Sequence, residues 1–395
     1  MARIVRSDSA SVAGADIIHA RALEYKGWVA SARGDYRAAA LLFTDALTRL
    51  DGCQRYDRFL ELNCLQALAH LAVDGLERRS WQTVSSRRAK LRCEAGSLSY
   101  PSFRLTLSVA TFENDVEGRP NEAAVEARRA YDLAPTAAFR VLALCKRASI
   151  ARHAREPIAQ LDHVQAAVDA FAAIDVERLT GDERLVLLAV AEELANAGRP
   201  DEARRHFEAY RACSATGAVL VISGDPRREA YEQLVEAQIA EAESRKPEAA
   251  SLYRRVLDRS MTSSLRSALI AAIRLGSLTG CTEHLVGYAD LATREVNGTS
   301  WIHAALKHLR FASTLSSLTA VQSEHLTLIC RGYSNGTIAE IRGRSENTVR
   351  NQVAVLFEIF GVRSRAELTA EYLRQTGTTQ SAGNARANPR RMQEL

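Results

Sequence analysis

The chain has 395 residues, 47% of them apolar and 25% charged, with a formal net charge of +5 at pH 7. This composition is that of a globular protein with room for two or three domains, and it excludes a disordered or fibrous chain. No stretch approaches the roughly 18 apolar residues of a membrane span, and the N-terminus has no apolar signal core. Seven scattered cysteines without a C-x-x-C pair indicate a reducing compartment. We therefore expect a cytoplasmic protein that does not enter a membrane.

Residues 15–311 are predicted to form successive amphipathic helices joined by polar turns. Several helices begin in the same way, with a turn followed by a small residue and then by an aromatic or small residue three or four positions later. Small residues let two antiparallel helices approach closely, and the aromatic ring fills the space between them. The turns are Gly34-Asp35-Tyr36, Gly118-Arg119-Pro120, Gly198-Arg199-Pro200 and Arg245-Lys246-Pro247, followed by Ala39, Ala123, Ala203 and Ala250.

These segments resemble tetratricopeptide helical hairpins, which implies an α-solenoid with a concave groove for a peptide, a protein or a small ligand. The alanines Ala39, Ala123 and Ala203 are 84 and 80 residues apart, which is about two repeats each time. Further hairpins are therefore expected around Trp81 and around Gln165. The alternative is an irregular helical domain with chance matches to the repeat.

Residues 318–368 carry a different pattern, three short helices with start and stop signals. Each begins at a residue whose hydroxyl can cap it, namely Thr319, Ser334 and Ser345. Each ends at a glycine, namely Gly332, Gly343 and Gly361. The predicted buried positions are Leu326, Leu328, Ile329, Ile338, Ala339, Ile341, Val349, Val353, Leu356 or Phe357, and Phe360. A fourth helix is predicted from Ala366 to Leu373.

This segment resembles the DNA-binding domain of the LuxR family of bacterial transcription regulators, also called the GerE or NarL type. The resemblance covers the last fifth of the chain and implies a four-helix domain over residues 316–374, whose third helix enters the major groove. The matching residues are Leu318-Thr319, Glu324, Leu326, Gly332, Ser334-Asn335, Ile338-Ala339, Ser345, Thr348-Val349, Val353, Gly361-Val362, Ser364-Arg365 and Glu367-Leu368.

Carried over position by position, the resemblance places Arg350, Asn351 and Ala354 toward base edges. Arginine binds guanine bidentately and asparagine binds adenine in the same way, and each such pair discriminates by about 1–3 kcal/mol. The alternative is a solvated helix face in a small helical bundle. Contacts to the phosphate backbone are expected from Asn335, Thr348, Arg344, Arg363 and Arg365.

The segment departs from the family pattern in its charge. Within residues 316–372 six arginines balance six glutamates, and the tail from residue 373 adds +3. Because nonspecific affinity comes largely from neutralised phosphates, we expect weak monomer binding that needs dimerisation, a partner, or arginines gathered on one face. Arg342 and Arg344 stand where the family has apolar residues. Either they extend outward, toward DNA phosphates, or the second helix packs differently.

The sequence carries no motif of an enzyme. It has no G-x-x-x-x-G-K-[ST] loop and no H-E-x-x-H, and His303 and His308 would lie on different faces of a helix. The pair Glu192-Glu193 is interpreted as solvated charge. We expect no catalysis, no metal and no cofactor.

The sequence therefore predicts an all-α protein with a tetratricopeptide-like region at residues 15–311, a helix-turn-helix domain at 316–374 and a disordered tail at 375–395. The main hypothesis is a sequence-specific regulator that binds promoter DNA as a homodimer and is controlled by an unknown protein, peptide or small-molecule effector. The alternative is an interaction scaffold whose degenerate helix-turn-helix no longer binds DNA.

Overall fold

The computed structural model describes residues 2–53, 57–91, 99–179, 181–215, 225–260 and 263–384. Every regular element in these ranges is a helix, and none of them is a strand, which confirms the predicted all-α fold. The chain divides into two compact units. The repeat unit comprises Met1–Thr279 with His284–Ala304, and the C-terminal unit comprises Gly280–Glu283 with Ala305–Leu395.

The repeat unit is built from helical hairpins stacked side by side. Six hairpins follow one another, from α1/α2 to α11/α12, and two further helices complete the unit. The helices are α1 Ala2–Ala32, α2 Tyr36–Asp51, α3 Arg58–Gly75, α4 Arg78–Arg88, α5 Ser99–Asp115, α6 Pro120–Leu133, α7 Ala137–His153, α8 Pro157–Phe171, α9 Leu185–Asn196, α10 Pro200–Ala215, α11 Pro226–Ala242, α12 Lys246–Ser260, α13 Leu265–Thr279 and α14 Val286–Glu295.

Each hairpin turns at one residue in the left-handed backbone conformation. In five of the six turns, the amide after that residue donates to the carbonyl five positions before it, as in Glu77 N to Ala72 O at 2.9 Å. This bond satisfies a carbonyl that the end of the helix would otherwise leave unpaired. The six turn residues are Gly34, Leu76, Gly118, Arg155, Gly198 and Ser244, with φ between 54° and 80°.

The two hairpins expected from the repeat spacing are present. The α3/α4 hairpin contains Trp81, and the α7/α8 hairpin contains Gln165. Trp81 stacks on Phe112 with ring centroids 3.9 Å apart and an interplanar angle of 10°. The sequence did not mark these two turns, because their left-handed residues are Leu76 and Arg155 and not glycine.

Close contact between the two helices of a hairpin depends on small residues, as predicted. Ala39, Ala123 and Ala203 are fully buried. In the first hairpin, a Cβ added to Gly27 would lie 2.8 Å from the ring of Phe43. Such a separation is below van der Waals contact, so this helix pair tolerates no larger residue at position 27 without repacking.

The series of hairpins closes upon itself. The first helices of the hairpins contact one another in succession from α1 to α13, and α13 also contacts α3. Arg227 on α11 donates from Nη2 to Ser31 Oγ on α1 at 3.0 Å, across 196 positions of sequence. Arg78 on α4 donates from Nε to Glu295 O on α14 at 2.9 Å. The odd-numbered helices therefore surround a common centre.

The C-terminal unit has helices at the positions predicted for residues 318–373. Its helices are the part of α15 Trp301–Ser317 from Ala305 onward, then α16 Ala320–Cys330, α17 Asn335–Arg342, α18 Glu346–Phe360 and α19 Arg365–Asn384. Ser334 and Ser345 cap α17 and α18, and Thr319 forms a capping box with Gln322. Gly343 and Gly361 end α17 and α18 in the left-handed conformation.

The core of this unit matches the predicted apolar stripes with one exception. The buried residues are Leu326, Leu328, Ile329, Ile338, Ala339, Val349, Val353, Leu356 and Leu368, with Phe357 and Phe360 packed against them. The prediction for Ile341 was wrong, because its side chain is 52% exposed. It lies three positions after Ile338, and α17 ends one residue later at Arg342, so the last turn leaves it outside the core.

Helix α19 runs from Arg365 to Asn384 and so passes residue 375, where the sequence predicts the start of a disordered tail. The tail itself stays a prediction. The side chain of Gln375 is buried, and its Oε1 accepts a hydrogen bond from His308 Nδ1 at 3.2 Å. Residues 385–395 lie outside the described part of the chain.

Candidate functional site

A cavity of about 610 Å³ lies inside the repeat unit. Each odd-numbered helix from α1 to α13 contributes to its wall, whereas α2 is the only even-numbered helix among the lining elements described. The volume of this cavity falls within the range of roughly 300–1,000 Å³ that is common for ligand sites in proteins. The wall combines apolar side chains with ten acidic and basic ones, Asp74, Arg104, Lys146, Asp182, Glu192, Glu193, Asp225, Arg227, Arg228 and Arg266.

On one side of the cavity, the wall residue Arg266 forms a buried ion pair with Asp115. Arg266 Nε donates to Asp115 Oδ2 at 2.6 Å, and Asn114 Nδ2 and Trp301 Nε1 donate to Asp115 Oδ1 at 2.6 and 2.9 Å. Burial by itself would raise the pKa of Asp115, but the charges of Arg266 and Lys146 hold it well below its usual range. Asp115 is therefore a fixed anion at physiological pH.

His153 lies next to this ion pair and is held neutral. Its ring stacks on the indole of Trp301, with centroids 3.9 Å apart, and its Nδ1 lies 2.8 Å from Asn114 Nδ2. Burial, with the charge of Arg152, lowers the pKa of His153 well below its ordinary value. A neutral Nδ1 without a proton can accept the hydrogen bond from the Asn114 amide.

A second group of paired charges lies where the hairpin series closes. Arg227 makes hydrogen bonds from Nε and Nη2 to Asp225 at 3.2 and 3.0 Å, and its Nη1 lies 3.8 Å from Asp74. Its guanidinium also stands 4.7 Å from the centre of the Tyr36 ring. Arg227 is thus engaged on all sides and joins the first, second and sixth hairpins.

The next acidic group of the wall is also satisfied. Tyr100 Oη donates to Asp182 Oδ2 at 2.7 Å, and Arg228 Nη2 donates to Asp182 Oδ1 at 3.3 Å. Tyr231 Oη donates to Glu192 Oε2 at 2.8 Å. These contacts fix the positions of polar groups on α5, α9 and α11, so the cavity is shaped before any ligand enters.

The interpretation of Glu192-Glu193 as solvated charge was wrong for its second residue. Glu193 is 3% exposed and lines the cavity. Burial raises the pKa of Glu193 to about 7, although Arg152 opposes the shift. The sequence does contain a signal for this position, since Glu193 follows Val186 and Val190 at helical spacing on the apolar face of α9.

In the C-terminal unit, the three residues assigned to base edges share the exposed face of α18. Arg350, Asn351 and Ala354 are all exposed, and the buried residues Val349 and Val353 lie on the opposite side of the helix. Arg350 Nη2 lies 3.7 Å from Glu346 Oε1, an exposed pair one turn apart. The arrangement leaves these side chains accessible to a partner.

The five residues assigned to phosphates differ in their surroundings. Arg344 and Arg363 are exposed. Arg365 donates to Tyr333 O and, from Nη2, to Asn335 Oδ1 at 2.9 Å, so these two candidates are tied to each other. The hydroxyl of Thr348 lies 2.8 Å from that of Ser345, the N-cap residue of α18, and so contacts its own helix terminus.

The two arginines at positions that are apolar in the resembling family are not buried. Arg342 is paired with Glu324 on α16, and Arg344 is exposed. Of the two possibilities, the outward orientation is therefore correct. However, Arg342 is directed to a carboxylate of its own unit, which neutralises part of its charge.

The described residues contain no helix with the length and apolar character needed to cross a membrane. They also contain no group of three or more histidine, cysteine, aspartate or glutamate side chains arranged to hold a metal ion.

The chain is partly similar to solved structures, but it matches no family model and no curated protein. A solved structure described as a Rap protein complexed with competence and sporulation factor superimposes with a TM-score of 0.46 and 13% identity, covering 93% of this chain and 99% of that chain.

Proposed function

We propose that this chain is a DNA-binding transcription regulator in which the repeat unit binds an effector and the C-terminal unit binds promoter DNA. The observation that carries the proposal is the exposed face of α18. Arg350, Asn351 and Ala354 lie there together, on a helix that is preceded by a short turn and capped at its N-terminus by Ser345. This is the arrangement of a recognition helix whose N-terminal half contacts bases.

The ion pair of Arg350 is a small obstacle to base contact. An exposed pair between residues one turn apart contributes about 0.3–0.5 kcal/mol, whereas a bidentate arginine–guanine contact discriminates by about 1–3 kcal/mol. Arg350 therefore leaves Glu346 when a guanine is in reach. Asn351 is exposed on the same face of α18 and can reach a base without first breaking an ion pair.

Phosphate contacts are assigned to the exposed Arg344 and Arg363, while Asn335, Thr348 and Arg365 shape the surface beside them. With six arginines balanced by six glutamates over residues 316–372, one copy has little charge for phosphates. A homodimer presenting two copies of α18 to half-sites about one helical turn apart would double the contacts.

The test is a footprint and a gel-shift titration on DNA upstream of the chain's own coding region. Arg350→Ala with Asn351→Ala should abolish sequence preference, and Arg344→Ala with Arg363→Ala should weaken all sequences and reduce the salt dependence. Arg128→Ala, an exposed arginine of the repeat unit, is the matched control. Protection of the same site by the Arg350/Asn351 double variant would refute the assignment.

The second candidate is an interaction scaffold, and a specific observation favours it. Three of the arginines of the C-terminal unit are engaged within it, Arg342 with Glu324, Arg350 with Glu346, and Arg365 with Tyr333 and Asn335. A scaffold needs only the helical-repeat fold and a bound partner. Absence of binding to pooled genomic fragments by the full chain at about 50 mM salt, where phosphate contacts are strongest, would favour the scaffold. Neither candidate involves catalysis or a cofactor.

A further inference from the structure

Lys146 is the basic group of the cavity wall that its neighbours leave unsatisfied. It lies on α7 and faces the cavity, and in the described part of the chain its ammonium makes no direct hydrogen bond or ion pair. The nearby Asp115 is already bonded to Arg266 at 2.6 Å. Burial, and then the charge of Arg266, lower the pKa of Lys146, and the carboxylates of Asp115, Glu192 and Glu193 oppose this shift. A carboxylate that entered the cavity would oppose it further and would supply the hydrogen bond that Lys146 lacks.

Glu193 is the matching acidic group. Its Oε1 accepts a hydrogen bond from Arg152 Nη2 at 3.2 Å, but its Oε2 is buried and has no hydrogen-bond partner among the described residues. An unsatisfied carboxylate oxygen in a protein interior is unfavourable unless a donor reaches it. Glu193 lies on α9, which packs against α7, so both unsatisfied groups belong to one side of the cavity.

The other charged groups described on the wall have partners. Arg227 is bonded to Asp225, Arg266 to Asp115, and Asp182 to Tyr100 and Arg228. A ligand that presented only an anion would leave Glu193 Oε2 unpaired, and one that presented only a cation would leave Lys146 unpaired. The remaining wall offers apolar surface for the body of a ligand, including Trp28, Leu71, Leu107 and Leu185.

We propose that the cavity binds a small zwitterion, whose carboxylate is held by Lys146 and whose ammonium group donates to Glu193 Oε2. This inference rests on the repeat unit being the effector-binding part of the proposed regulator, and it names the chemical class of that effector. Free amino acids and the two termini of a short peptide present the same pair of groups. Charge-assisted hydrogen bonds are stronger than neutral ones, and they are strengthened further at a buried group such as Glu193.

The experiment uses the full chain and calorimetric titration at pH 7.5. The probes are glycine, β-alanine, γ-aminobutyrate and ε-aminocaproate, which increase the separation between ammonium and carboxylate, the apolar amino acids leucine and phenylalanine, and the peptides trialanine and tetraalanine. Binding of amino acids alone or of peptides alone distinguishes the two sources. If no probe binds, the cavity is a water-filled polar interior and the proposal is wrong.

Chemical masking of the ligand tests the two contacts on the unmodified protein. For the best probe, N-acetylation removes the donor to Glu193, and conversion of the carboxylate to an amide removes the acceptor for Lys146. Each should weaken binding by roughly tenfold or more, the amount expected for one charge-assisted hydrogen bond. Unchanged affinity of both masked probes would overturn the assignment.

Two variants assign each contact to its residue. Lys146→Met keeps an unbranched side chain as far as Cε and removes the ammonium group, and this variant should bind the zwitterion and its amide with equal weak affinity. Glu193→Gln should show the same equality for the zwitterion and its N-acetyl form. Lys246→Met, at an exposed lysine on α12, is the control and should bind normally.

Failure of this inference is separable from failure of the proposed function. DNA binding by the full chain, tested without any zwitterion, addresses the C-terminal unit alone. Zwitterion binding with no DNA binding would support the cavity assignment and refute the regulator, whereas DNA binding with no zwitterion binding would do the reverse.

Discussion

Trp301 Nε1 donates a hydrogen bond to Asp115 Oδ1 at 2.9 Å, across 186 positions of sequence. Trp301 is the first residue of α15, the helix whose later residues belong to the C-terminal unit. The same carboxylate binds Arg266 on the cavity wall. Asp115 therefore joins the first turn of α15 to the interior of the repeat unit.

Removal of this carboxylate should destabilise the protein strongly. In Asp115→Ala, the guanidinium of Arg266 loses its ion-pair partner inside the protein, and breaking a buried pair in this way costs on the order of 3 kcal/mol. Asp132→Ala is the control, since Asp132 pairs with Arg128 on the surface at 3.8 Å, with exposed fractions of 62% and 66%. Urea unfolding should show less than about 0.5 kcal/mol for the control. Equal effects would mean that the Asp115 pair contributes no more than a surface pair.

The acid dependence of this effect follows from the depressed pKa of Asp115. A carboxyl whose folded pKa lies below its unfolded value stabilises the fold at every pH above the unfolded value, about 3.9. The difference in the free energy of unfolding between the wild type and Asp115→Asn should therefore be constant from about pH 5 to 8, where the Asp115 carboxyl is ionised in both the folded and the unfolded state. This difference should become smaller only at lower pH.

A methyl group at the turn of the third hairpin should be far more harmful than one at the turn of the fifth. Gly118 and Gly198 both have left-handed backbones, with φ of 66° and 77°, so alanine is strained by about 1–2 kcal/mol at each. At Gly118 the added Cβ would also overlap the backbone of Thr299 and Ser300, whereas nothing lies within 4 Å at Gly198. We expect an additional loss of roughly 1–3 kcal/mol for Gly118→Ala. Thermal unfolding of the two variants measures it, and equal melting temperatures would contradict the packing of residues 299–300 on this turn.

Glycine at two other hairpin turns should have opposite effects. Arg155 is exposed and left-handed, so Arg155→Gly should stabilise the protein by about 1 kcal/mol, since it removes the strain without removing a buried group. Leu76 is also left-handed but fully buried, so Leu76→Gly should destabilise by about 2–4 kcal/mol through loss of its packing. Denaturant midpoints of both variants provide the measurement. A stabilising Leu76→Gly would show that the strain outweighs the packing.

Glu193 should make the fold less stable as the pH rises. Its pKa increases from 4.5 to about 7 on folding, so between these values the folded state binds more protons than the unfolded state. Stability then falls with rising pH across this window. The neutral Glu193→Gln removes that contribution. The stability of the wild type relative to Glu193→Gln should decline between pH 4.5 and pH 7 and remain level above it, as measured by urea unfolding at a series of pH values. A difference that does not change with pH would show that Glu193 ionises normally.

The sequence predicted the hairpins wherever glycine marks the turn. Gly34, Gly118 and Gly198 reveal their turns because the left-handed conformation favours glycine. Leu76 and Arg155 occupy the same conformation without that mark, since the surrounding helices impose it, and only the regular spacing indicated their hairpins. The closure of the series was not predictable, because it depends on contacts such as that of Arg227 with Ser31, 196 positions apart.

The candidate sites were predictable to different degrees. The exposure of Arg350 and Asn351 was predicted from the sequence, because it follows from the helical period and the N-cap at Ser345. The cavity residues Lys146 and Glu193 were not found, since a charged residue on a helix is usually solvated. Their burial results from seven helices meeting around one centre, which no local pattern describes.

The closed arrangement of the hairpins has a consequence for how such a chain can change in evolution. An open array of repeats can gain or lose a unit at little penalty, because each unit contacts only its neighbours. Here, insertion or deletion of one hairpin would separate Arg227 from Ser31 and α13 from α3. The number of hairpins is thus fixed by geometry, and new specificity has to arise by substitution of side chains on the inner helices.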